Sequence, residues 1–154
     1  MPFLFDTDAI SEVLRKKPAP AYLRWLAEIP QAEQFTSAVA VGELFRGAFR
    51  SKEPKRHLEN IETRVLLALT VLPFDVPIAR IYGEIQAQLA GMGKTLEDAD
   101  LQIAATAIHH GLEMVTGNLQ HFERIPGLRL QRVFAESRLG PGGSAAAPRS
   151  TPGP

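Results

Sequence analysis

Residues 95–108, Thr-Leu-Glu-Asp-Ala-Asp-Leu-Gln-Ile-Ala-Ala-Thr-Ala-Ile, constrain the fold more than any other stretch of this chain. In a helix, Asp100 shares a face with Ile103, Ala104 and Ala107, at offsets of three, four and seven. Small residues on that face let another backbone approach closely, which predicts burial with a carboxylate at the head of the buried stripe. A carboxylate in that position costs free energy unless something compensates it. Asp98 has a plainer reading. Thr95-x-x-Asp98 has the spacing of a capping box, with Thr95 as N-cap and Asp98 reaching back to its amide. Capping does not require Asp100, which points to a metal-binding or catalytic role.

Around this helix the chain alternates short apolar runs with amphipathic ones. Phe3-Leu4-Phe5, ending in Asp6-Thr7-Asp8, reads as a buried parallel strand with acids at its C-terminal end. A helix follows through Ile10, Val13 and Leu14, and another from Pro20 to Ile29 carries the stripe Tyr22, Trp25, Leu26, a pattern of core or of a partner interface. Gln34-Phe-Thr-Ser37 is a second strand, and Ser37 caps a helix with Val41, Leu44, Phe45 and Ala48 on one face and Glu43 off it. A helix over 54–69, a strand over 69–72 and a helix opened by Asp75-Val-Pro77 come next. The central helix, over 96–110, closes at Gly111; strands are expected over 112–116 and 128–130, with Gly117-Asn118 turning out of the first. Strands alternating with helices predict a three-layer α/β/α domain on a central, mainly parallel sheet over residues 1–135. Residues 136–154, rich in Gly, Pro, Ala and Ser, are expected to form a disordered tail.

Composition narrows the chemistry. The 17 Lys and Arg balance the 17 Asp and Glu, so any nucleic-acid contact must come from a local patch rather than the overall charge. One basic stretch exists, Arg46, Arg50, Lys52, Lys55, Arg56 and His57, equally readable as a solvated face. The absence of cysteine excludes disulfides, thiolate zinc sites and a cysteine nucleophile. His109 and His110, at a helix C-terminus, fit the favoured place for cations there rather than a metal site. With neither a membrane-length apolar run nor a signal peptide, a cytoplasmic protein is expected.

Parallel sheets bind ligands beyond the carboxyl ends of their strands. That edge can gather Asp6, Glu43, Asp100 and Asn118. Two carboxylates 4 Å apart repel by roughly 4 kcal/mol at an effective dielectric near 20, so such a group must spread, protonate or hold a cation. All-oxygen ligands suit Mg²⁺ or Mn²⁺ over zinc. Each residue also has an ordinary reading: Asp6 as a helix cap, Glu43 as an ion-pair partner of Arg46 three residues on, Asn118 as a turn residue.

Phe5-Asp6-Thr7-Asp8, Val41-Gly-Glu43-Leu44, Asp100-Leu-Gln-Ile-Ala-Ala-Thr-Ala107, Val115-Thr116-Gly-Asn118 and Phe122-Glu-Arg-Ile-Pro-Gly127-Leu together resemble a PIN-domain ribonuclease, above all the VapC toxins of bacterial toxin–antitoxin pairs. The resemblance spans about residues 3–133. It implies an endoribonuclease dependent on Mg²⁺ or Mn²⁺, homodimeric, acting on RNA and silenced by a VapB-like antitoxin. By position, Asp6, Glu43 and Asp100 correspond to the metal-binding acids, Thr116 to a hydroxyl beside the metal, and Asn118 to a place held by Asp or Asn. Three residues depart from the pattern: Asp8 stands for the commoner Asn or Ser, Gly117 for a frequent Arg, and His121 for a frequent Asp. Two other readings compete. A haloacid-dehalogenase-like phosphatase would use Asp6 as nucleophile, and a PIN-like binding module would not cut at all.

Overall fold

The computed structural model describes residues 2–139. Its centre is β1 (Phe3–Phe5), three apolar residues whose backbone pairs in parallel on both edges and whose side chains are buried on both faces under helical layers. Phe3, Leu4 and Phe5 lie opposite Gln34, Phe35 and Thr36 of β2 (Gln34–Ser37) on one side. They lie opposite Glu113, Met114 and Val115 of β4 (Glu113–Val115) on the other. Adding β3 (Thr70–Leu72) and β5 (Leu130–Gln131) gives five strands in the order β3-β2-β1-β4-β5, every pairing parallel.

The pleat sends alternate side chains to opposite faces, which divides the core in two. Leu4 joins Ile78, Ile85 and Leu89 of α6 (Val76–Gly91) and Leu101, Ile103, Ala104 and Ala107 of α7 (Asp98–His110). Phe3 and Phe5 face the other layer, made with Ile10 of α1 (Thr7–Val13), Tyr22 of α2 (Pro20–Ala27), and Leu44 and Ala48 of α3 (Ala38–Arg50). Ile61 and Val65 complete that layer from a π-helical turn, Ile61–Val65, between α4 (Pro54–Asn60) and α5 (Leu66–Ala68). The expected three-layer α/β/α architecture is the observed one.

Local chemistry sets the helix ends. Ser37 accepts a hydrogen bond from the Val39 amide and Asp75 one from the Ile78 amide, each satisfying an N–H that the first turn leaves free. Gly111 ends α7 at φ +66°, a left-handed conformation that glycine adopts without a side-chain clash. The α2 stripe is largely core: Tyr22 is fully buried, its hydroxyl donates to the Ala9 carbonyl at 3.0 Å, and Trp25 packs edge-on to Phe3 with ring centroids 5.1 Å apart. Among the described residues no helix is long and apolar enough to cross a membrane.

Two expectations are corrected here. Helix α7 starts at Asp98 with Glu97 as N-cap and no side-chain cap, so the Thr95–Asp98 capping box does not form. Its start three residues after Thr95 puts Asp98 at the first helical position, out of register for that role; its carboxylate instead accepts the Tyr82 hydroxyl at 2.7 Å. The boundary between residues 135 and 136 cuts through α9 (Val133–Ser137), after the short α8 (Leu119–Phe122). Helix α9 belongs to the domain because Phe134 is fully buried, with its ring 4.5 Å from that of Tyr22. The part of the expected tail from residue 140 onward lies outside the described residues.

Because Phe134 anchors α9 against the core, Phe134→Ala should cost about 3–5 kcal/mol of unfolding free energy in urea titration. A cost below roughly 1 kcal/mol, the scale of a surface substitution, would mean that α9 does not hold this position.

Candidate functional site: an acidic sheet edge

Strands β1 and β4 end side by side, and the residue after each carries the site. The Asp6 amide donates to the Val115 carbonyl at 3.1 Å, extending the strand pairing one step and fixing Asp6 next to Thr116. Asp6 then caps α1, its carboxylate accepting the Ala9 amide at 2.8 Å. It is only 6% exposed. Burial drives the carboxyl up from 3.8 to about 7; hydrogen bonds from the Thr116 hydroxyl and the Ala9 amide pull the other way, and the charges of Asp8 and Asp100 push it higher. Asp6 thus fills its ordinary reading as a cap and is also the most perturbed acid of the site.

Thr116 and Asn118 form one hydrogen-bonded run. The buried Thr116 hydroxyl accepts the Asn118 amide at 3.1 Å, and the Asn118 side chain caps α8 by accepting the His121 amide at 3.3 Å. The His121 ring closes the run, its Nε2 lying 2.9 Å from Asp100 Oδ2. Asp100 sits half-buried in the first turn of α7, with Ile103, Ala104 and Ala107 buried below it as the sequence spacing predicts. Asp6, Asp100, Thr116 and Asn118 are therefore brought to one edge of the sheet.

Glu43 stands slightly apart. Its Oε1 accepts the Thr7 hydroxyl at 2.6 Å and its Oε2 lies 4.0 Å from an Arg46 nitrogen. It is tied to the neighbour of Asp6 and to the partner that its sequence spacing suggested. Among the described residues, no three acids or histidines cluster tightly enough to enclose a metal ion. Two contributors escaped sequence reasoning. Thr7 lies inside the first motif yet carries no charge to mark it. Arg138 reaches Asp8 at 2.8 Å from the far end of the chain, and no local pattern signals that contact.

A concavity of about 150 Å³ opens elsewhere, between α1, α2 and the segment from the π turn to Leu69; Phe5, Ile10, Val13, Leu26, Val65 and Leu69 contribute to its apolar wall.

A PIN domain matches residues 3–128. The chain is 33% identical over 129 residues to Ribonuclease VapC2 of Haemophilus influenzae, covering 84% of this chain and 96% of that protein. It is 36% identical over 129 residues to the tRNA(fMet)-specific endonuclease VapC of Shigella flexneri, with the same coverage of 84% and 96%. The crystal structure of VapBC2 from Rickettsia felis bound to a promoter DNA fragment superposes with a TM-score of 0.78 at 26% identity, covering 85% of this chain and 98% of that one. The chain belongs to the PIN-domain family. That membership removes the haloacid-dehalogenase reading of Asp6-Thr-Asp8.

The raised Asp6 value has a pH consequence. Its carboxyl holds a proton more tightly folded, near 7, than unfolded, near 3.8. Folding therefore gains most below pH 4, and that gain is lost as pH rises through 7. The full gap corresponds to at most roughly 4 kcal/mol. In chelator, the parent's unfolding free energy should contain a component that declines between pH 4 and 7, and Asp6→Asn should lack it. The variant should consequently be the more stable protein at pH 8. Parallel pH profiles for the two proteins would contradict the buried, crowded state of Asp6.

Proposed function

We propose that this chain is a metal-dependent endoribonuclease of the VapC kind, the toxin of a toxin–antitoxin pair, working in the cytoplasm. The observation that carries the reading is Asp6: a buried carboxyl at the end of a parallel strand, raised to about 7, beside Asp100 and Thr116, in a PIN domain. A bound cation would stabilise the Asp6 and Asp100 carboxylates in their ionised form, which burial and mutual repulsion disfavour. The donor set fits Mg²⁺ or Mn²⁺ chemically, being all oxygen in a chain without cysteine. Its loose spacing also fits Mg²⁺, which keeps several waters and takes only one or two carboxylates.

Asp6 and Asp100 would hold the ion directly, with Glu43 at the margin. Such an ion supplies Lewis-acid polarisation of a phosphoryl oxygen and a more acidic water. The chain's own residues do the rest. The Ala9 amide and the Thr116 hydroxyl fix the Asp6 oxygens, and Asn118 holds the strand-to-helix turn that aims Thr116. His121 orients Asp100, and Thr7 restrains Glu43. We read the apolar concavity beside α2 as the seat of a VapB-like antitoxin segment, and the working unit as a homodimer.

Incubating the protein with RNA tests the reading. Mg²⁺ or Mn²⁺ should support cleavage and excess EDTA should abolish it. Asp6→Asn and Asp100→Asn should each lower the rate at least 100-fold, about 3 kcal/mol of barrier. Asp98→Asn should keep most of the activity, because Asp98 faces Tyr82 instead of the site. Cleavage undiminished in EDTA would sink the proposal.

A further inference from the structure

Arg138 sets a guanidinium against the Asp8 side of the acidic edge, and its placement depends on a missing side chain. At Gly117, between Thr116 and Asn118, a Cβ would lie 2.3 Å from Arg138 Nη1, 2.7 Å from its Cζ and 2.8 Å from Asp8 Oδ2. No ordinary side chain fits there while Arg138 holds its place. The guanidinium rests on the Phe134 ring, with Cζ 4.2 Å from the ring centre, which fixes it by cation–π contact. One nitrogen, Nη2, donates to Asp8 Oδ1 at 2.8 Å and lies 3.8 Å from Glu12 Oε1. Of the five N–H donors of an arginine, the hydrogen bonds of the described residues use one.

We propose that Arg138 binds a phosphate of the RNA backbone next to the acidic edge, reaching the site from α9 through the space that Gly117 leaves open. This rests on the ribonuclease reading and adds the group that meets the anionic substrate beside a row of carboxylates. Asp8 is the internal stand-in for that phosphate. Its side chain is 48% exposed and that of Arg138 30% exposed. An ion pair this accessible contributes little to stability, so an entering phosphate can displace it. Phosphate oxygens match the fork of the donors that no described residue takes, and the aromatic ring beneath keeps the fork aimed during the exchange. The absence of Arg at position 117 and the presence of an acid at position 8 are then two sides of one arrangement.

The test is binding of a short fluorescein-labelled single-stranded RNA in EDTA, followed by anisotropy across a salt series, with cleavage measured separately in Mn²⁺. Arg138→Met should weaken binding about tenfold and flatten the log–log salt slope by about 0.7, one phosphate contact on a single strand. Arg138→Lys should restore the slope and only part of the affinity. Gly117→Ala should weaken binding in the parent and have a much smaller effect in Arg138→Met, where only the Asp8 carboxylate still meets the added methyl. Asp8→Asn decides between substrate contact and simple fold support: it removes the close ion pair and leaves Nη2 only the 3.8 Å approach to Glu12, so binding should tighten. Should Asp8→Asn weaken binding as Arg138→Met does, or should Arg138→Met leave the salt slope unchanged, the proposal is overturned. Absence of RNA binding by the parent overturns it as well. Binding that behaves as expected without cleavage in Mn²⁺ would support the Arg138 contact and refute the nuclease reading alone.

Discussion

A single buried carboxylate organises this molecule. Asp6 follows the central strand without a break, takes its amide bond from β4 and gives its side chain to the first turn of α1. Those ties hold it where water is scarce, and burial is the largest cause of its raised proton affinity. Thr116 and the Ala9 amide recover part of the lost hydration, while Asp8 and Asp100 add repulsion. Mutual support among strand pairing, helix capping and the neighbouring hydroxyl keeps the carboxyl in place despite that cost.

At this position the structural role of a helix cap is compatible with the chemical role proposed for Asp6. An N-cap acid points its oxygens at free amides, so the backbone fixes its rotamer. Asp6 therefore arrives preorganised, with no loop needing to order around it. Glu43 has a weaker version of this arrangement, one restraint from Thr7 and a distant one from Arg46, and it sits correspondingly at the edge of the group.

Most of the framework was legible because the signals were local. Phe3-Leu-Phe5 and Gln34-Phe-Thr-Ser37 announced strands, Ser37 and Asp75 announced caps, and Gly111 announced a stop. The inward phase of Asp100 followed from the small residues a turn below it. Asp98 misled because a capping box depends on where the helix starts, and moving the N-cap from Thr95 to Glu97 turns a capping acid into an exposed one bonded to Tyr82. Helix α9 was hidden because its evidence is tertiary: one phenylalanine against Tyr22 and one arginine against Asp8. Residues 136–139 look like the start of the Gly- and Pro-rich segment until those contacts are seen. Asp8 and Gly117 are explained by a distant side chain, Arg138, which bonds the first and fills the space a Cβ on the second would need.

The strand order carries a further meaning for how the chain comes together. The central strand, β1, precedes the other four in the chain, and its second neighbour, β4, follows only after β2 and β3. Until Glu113–Val115 docks, one edge of β1 is an open template and Asp6 has no Thr116 beside it. Closing so long a loop is entropically slow, as for any sheet dominated by distant parallel pairings. Assembly of the acidic edge and completion of the hydrophobic interior are consequently one event. A nascent or truncated chain that lacks β4 has neither, which ties the maturation of the site to the docking of that strand.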